Sequence, residues 1–159
     1  MPGRWICLLA GLLALLLAGC GGGSSGETTT GALSDPPPLS KQEFLREANQ
    51  ICLSSESRIE AAADEYATAK NPPTRKQVAS VAKGAVIPAL EAEVQAIEAL
   101  GPPAEDADQV RMILAVTKQG IEAVRRDPGS LLDGPPKQLA EANRLARKFG
   151  AAQCGLRGQ

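Results

Sequence analysis

Hydrophobic and polar residues alternate along this chain with the three-four spacing of amphipathic helices from Ser40 onward, after two segments of different character. Residues 1–19 are almost unbroken apolar sequence, with Ile6 through Ala18 the core of the run. Residues 20–39 are rich in Gly, Ser, Thr and Pro. Residues 40–159 then carry the periodic pattern and predict a helical domain.

The first predicted helix starts at Ser40, with Glu43 three positions on as a capping box. Its stripe runs Phe44, Ala48, Ile51, Cys52, Ser55, Ile59, Ala62 and Tyr66, and Asn71-Pro72-Pro73 ends it. The second opens at Thr74 with Gln77 as its box partner. Alanines at 82, 85, 89, 92, 96 and 99 form one stripe, and Val86, Leu90, Val94, Ile97 and Leu100 form a bulkier one beside it. Pro88 stands inside this helix, and its ring conflicts with the carbonyl of Gly84, so a kink is predicted between them. Gly101-Pro102-Pro103 is the stop.

The third helix has Glu105, Asp106 and Asp108 at its start and Arg125 and Arg126 at its end, each favourable to the helix dipole. Ala107, Val110, Leu114, Thr117, Ile121 and Val124 are its buried face. Turns at Asp127-Pro128-Gly129 and Asp133-Gly134-Pro135-Pro136 lead to a last helix with Leu139, Ala142, Ala146 and Phe149 inward and Gly150 as its stop. Short Pro/Gly connections imply antiparallel neighbours, hence an all-α antiparallel four-helix bundle.

The apolar N-terminal run gains meaning from its end. Arg4 supplies a positive start, the run is too short to span a bilayer, and Leu17-Ala18-Gly19-Cys20 looks like a bacterial lipobox. A plain secretory signal or an uncleaved anchor is the other reading. With the lipobox, residues 1–19 are a lipoprotein signal peptide and Cys20 becomes the acylated first residue of the mature chain. At ~0.8 kcal/mol per buried methylene, two acyl chains hold a protein stably at a membrane. The expected location is the cell membrane, lipid-anchored and facing the extracytoplasmic side. Residues 20–39 are then a tether with a reach of about 25 Å, through Gly21-Gly22-Gly23 to Pro36-Pro37-Pro38. Thr28-Thr29-Thr30 is a simple spacer or a site for O-linked sugar.

Of four cysteines, Cys7 leaves with the signal and Cys20 takes lipid, which leaves Cys52 and Cys154 in an oxidising space. A disulfide between them is expected, and two unrelated buried thiols are the alternative. A short C-terminal segment folding back along the first helix would join them.

Composition removes several kinds of chemistry. The chain has 17 basic and 18 acidic side chains and no block of like charge, so no nucleic-acid partner is implied. There is no histidine. That excludes a Glu-x-x-His di-iron site, a histidine-ligated haem, a Ser-His-Asp triad and a Cys-His nucleophile. No metal or cofactor is expected, and no enzymatic activity. Three weaker candidates remain: Glu56, Glu60 and Asp64 along one helix face, Arg144, Arg147 and Lys148 as an anion grip, and Asn49 beside the apolar stripe. A solvated face, a helix-end complement and a capping role are their plainer readings.

Phe44-x-x-x-Ala48-Asn49-x-x-Cys52, Leu100-Gly101-Pro102-Pro103, and Ala146-x-x-Phe149-Gly150 leading to Cys154-Gly155 together resemble a group of small uncharacterised lipoproteins of high-GC Gram-positive bacteria. The resemblance spans nearly the whole mature domain. It implies a helical, disulfide-tied, membrane-anchored domain and carries no activity. The function expected is therefore a binding or interaction module of the cell envelope, its partner an envelope protein or a small ligand. The alternative is a carrier of a small apolar ligand in an alanine-lined cleft near the Gly84–Pro88 kink; the plainer reading of the kink is a helix that only curves around its own core.

Overall fold

A computed structural model describes residues 38–66 and 72–155, and these belong to one compact unit. The expected signal peptide, Cys20 and the expected tether up to residue 37 lie outside the described residues. No described helix is long and apolar enough to cross a membrane.

The described residues are all-helical, with five α-helices: α1 (Lys41–Asp64), α2 (Arg75–Val81), α3 (Ile87–Leu100), α4 (Ala107–Arg126) and α5 (Lys137–Phe149). Both capping boxes form. The Glu43 N–H donates to Ser40 Oγ at 3.3 Å while Ser40 N–H donates to the Glu43 carboxylate at 2.9 Å. Thr74 and Gln77 repeat the arrangement at the start of α2.

The predicted second helix is where the count departs from four. Its two halves, α2 and α3, are separated by one π turn over Ala82–Val86, in which the Ile87 N–H reaches back five residues to the Ala82 carbonyl. Pro88 is the cause. It lacks an N–H and crowds the preceding turn, and a widened turn relieves the crowding where a regular helix cannot. Where a kink is predicted between Gly84 and Pro88, the helix carries a π turn.

The alanine stripe serves close approach. Ala82 and Ala89 are buried, and α1 comes near enough for the Ser55 hydroxyl to donate to the Ala89 carbonyl at 3.2 Å. α3 packs next on α4, and α4 on α5. Gly120 on α4 lets α5 in: a β-carbon there would lie 2.6 Å from Leu139 Cγ and 3.0 Å from its backbone nitrogen. The acidic start of α4 is tighter than predicted, a 3-10 turn over Ala104–Asp106, but Arg125 and Arg126 occupy the last turn.

Between α4 and α5 the chain makes a 3-10 turn, Pro128–Asp133, that packs on α2. Arg75 pins it, donating to Asp127 at 2.8 Å and Asp133 at 3.2 Å. α5 ends as its sequence requires, with Gly150 at φ 109° and the Ala151 N–H returning to the Ala146 carbonyl at 2.9 Å. The chain then runs into a 3-10 turn over Ala152–Gly155 that lies against α1, the predicted fold-back. There the Cys52 and Cys154 sulfurs are 2.04 Å apart, a disulfide closing 102 residues of sequence.

Candidate functional site

Native interiors hold few voids larger than a water molecule. This one leaves a partly open cavity of about 260 Å³ among α1, α3, α4 and α5. Its origin is a mismatch in side-chain size. At one end Phe44 of α1 meets Phe149 of α5 edge to face, ring centroids 6.2 Å apart, with the Lys41 ammonium 4.6 Å from the Phe149 ring. Val110 of α4 completes that closed end, and all three apolar side chains are buried. Midway, the inward residues of α1 and α5 are Ala48, Ala142 and Ala146, too small to meet Leu90, Val94 and Leu114 across the gap.

The other end is more open. Ile59 late in α1, Val86 in the π turn, Leu131 in the 128–133 turn and Leu139 early in α5 line it, and each is half-buried. Pro135 beside them is exposed. Ile113, Thr117, Asn143 and Cys154 along the rest of the lining are half-buried as well.

The π turn borders the cavity through Val86. Its lining differs from the expectation. The wall given by the π turn and α3 is the bulky stripe Val86, Leu90, Val94 and Ile97, whereas the Ala89 carbonyl meets Ser55 of α1; the alanines that leave room belong to α1 and α5. One polar residue escaped the sequence reading. Glu93 is only 6% exposed and lines the cavity. Its signal was available: it stands three residues after Leu90 and four before Ile97, inside the buried stripe.

The weaker candidates take their plainer roles. Among the described residues no group of three or more acidic or cysteine side chains is placed to hold a metal ion, so Glu56, Glu60 and Asp64 make no such site. Arg144 is held by Glu141 one turn away, at 2.6 and 2.8 Å, which raises the Arg144 pKa and lowers that of Glu141. Arg147 donates to the Gly155 carbonyl, and Lys148 is exposed. The three do not converge on an anion. Asn49 does cap, accepting the Gln153 N–H at the start of the last turn.

Arg75 is also pushed up, by the charge of Asp127 and its hydrogen bond and then by Asp133. These perturbed groups are exposed and lie outside the cavity lining. They secure turns and helix faces.

Comparison with protein-family models, with curated proteins and with solved structures finds no match.

Proposed function

We propose that the chain is a lipid-anchored extracytoplasmic protein, attached through acylated Cys20, that binds a small apolar molecule within its helical unit and catalyses no reaction. With α2 and α3 taken as one rod, the unit is an antiparallel four-helix bundle closed by the Cys52–Cys154 disulfide. The observation that carries the reading is the 260 Å³ apolar cavity. A cavity of 150 Å³ accommodates benzene, so this one has room for roughly ten carbon atoms.

Most of the wall is apolar and offers water no hydrogen bonds, which favours an apolar occupant over solvent. An envelope-protein partner has less behind it. Among the described residues the exposed large hydrophobics are Leu53, Met112 and Leu132, one each on α1, α4 and the 128–133 turn, and single apolar residues at a surface are ordinary.

Naphthalene, with ten carbons, tests the reading. Calorimetric titration of the mature chain bearing Cys20→Ser is expected to show one site per chain. Ala142→Leu, which fills the middle of the cavity, is expected to abolish it while the circular dichroism stays helical. No binding by the unaltered cavity, or equal binding by the Leu variant, would contradict the reading.

A further inference from the structure

The residues that line the cavity show its shape. On α5 they run from Leu139 to Phe149, a distance of about 15 Å at ~1.5 Å of rise per residue. On α1 they run from Phe44 to Ile59, over about 22 Å, and Phe44 and Phe149 meet at one end. A space of 260 Å³ extended over about 15 Å is on average only about 4–5 Å across. Carbon atoms in contact lie ~4 Å apart, so such a passage takes one methylene chain abreast. Ala48, Ala142 and Ala146 widen it midway, which gives a flat ring system such as naphthalene its room. A compact molecule seated there leaves both ends unfilled.

The ends are apolar. Phe44, Val110 and Phe149 are buried at one, and Ile59, Leu131 and Leu139 line the other. Unfilled space beside such side chains forfeits their dispersion contacts. A flexible chain recovers those contacts along a passage of uneven width, whereas a rigid ring system of the same carbon number does not. Holding the chain straight costs it rotational freedom, so each methylene is expected to add about threefold in affinity, below the roughly fourfold of simple transfer from water.

We infer that the site selects a single unbranched aliphatic chain of about ten carbon atoms, lying lengthwise with its end against Phe44, Val110 and Phe149. This rests on the reading of the cavity as a ligand site. Those three side chains are then the stop that measures chain length.

The test is calorimetric titration of the mature Cys20→Ser chain with n-hexanol, n-octanol, n-decanol and n-dodecanol, each below its solubility limit. Affinity is expected to rise about threefold per methylene up to decanol and to level off between decanol and dodecanol. Val110→Ala removes two carbons from the stop, and dodecanol is then expected to bind that variant about tenfold more tightly than decanol does. A rise that ends at hexanol would show a compact space and overturn the inference. So would a rise that continues unbroken to dodecanol in the unaltered cavity, or a folded Val110→Ala chain whose break does not move. The series on the unaltered cavity needs no variant, so it decides the matter even where Val110→Ala does not fold. Decanoyl lysophosphatidylcholine carries a chain of the same length as a lipid tail: affinity near that of decanol identifies lipid tails as ligands, and no binding beside a decanol break identifies free chains. Naphthalene binding without a break in the alcohol series leaves the apolar site standing and removes the chain. Failure of naphthalene and all four alcohols removes both.

Discussion

Asn49 and Gln153 stand 104 positions apart in sequence, and the Asn49 side-chain oxygen accepts the Gln153 backbone N–H at 2.9 Å. The contact sits one turn along α1 from Cys52, whose partner Cys154 follows Gln153 directly. A hydrogen bond and a covalent bond thus hold the same C-terminal turn against the same helix face.

Replacing both Cys52 and Cys154 by Ala is expected to cost roughly 2–5 kcal/mol, since a loop of this length loses much closure entropy in the unfolded chain. Asn49→Ala is expected to cost about 1 kcal/mol. Because both act on one turn, the combined variant should deviate from the sum of the separate losses. Urea unfolding of the variants measures all of these quantities, and strict additivity would show that the two tethers act independently.

Two glycines should respond oppositely to the same change. Gly120→Ala puts a methyl group against Leu139 and its backbone nitrogen, so α4 and α5 must shift at a cost of about 1–3 kcal/mol. Gly84 in the π turn has nothing within 4 Å of a β-carbon and no unusual backbone angle. Gly84→Ala is therefore expected to stabilise by roughly 0.5–1 kcal/mol through helix propensity alone. Thermal unfolding distinguishes them, and a loss of stability in Gly84→Ala would mean that the π turn needs glycine.

Acid should loosen the start of α1. The Ser40 hydroxyl and then the Ser40 N–H donate to the Glu43 carboxylate and hold its pKa below the usual 4.5. A carboxyl whose folded pKa is depressed adds stability that is fully present above the unfolded value and is lost as pH falls through the folded one. The capping contribution should accordingly fade as pH drops below 4.5. Ser40→Ala should return the Glu43 titration, followed by carboxyl NMR shifts, towards 4.5. An unchanged midpoint in that variant would show that Ser40 does not set it.

Lipid attachment is read at Cys20, outside the described residues, and has a direct assay. Cells expressing the full chain should incorporate labelled palmitate into it, and the protein should leave membranes with detergent and not with high salt. Cys20→Ala should abolish the label. Retained label would place the modification elsewhere.

Much of the architecture was legible because it depends on local rules. Ser40/Glu43 and Thr74/Gln77 announce helix starts through side chains that reach only three residues, and Gly150 announces an end through one positive φ. Pro88 signalled an irregularity, but whether a helix bends or widens is decided by its neighbours, and those are set by packing. The cavity was harder to see for the same reason. Ala48, Ala142 and Ala146 read singly as helix formers that permit close axes. Only when Phe44 and Phe149 meet at one end, and the 128–133 turn sits at the other, do those alanines face a gap. Glu93 was overlooked because its neighbours Glu91 and Gln95 make it look like part of a polar face, while its spacing from Leu90 and Ile97 puts it on the buried one.

Native mass spectrometry of the exported mature Cys20→Ser chain, purified without detergent and compared with its denatured mass, tests the central claim most directly. The account predicts one added species of roughly 130–200 Da per chain, the mass of a molecule of ten carbon atoms or somewhat more, lost on denaturation and absent from Ala142→Leu. A bare chain whose native mass also stays unchanged in saturating naphthalene would contradict it.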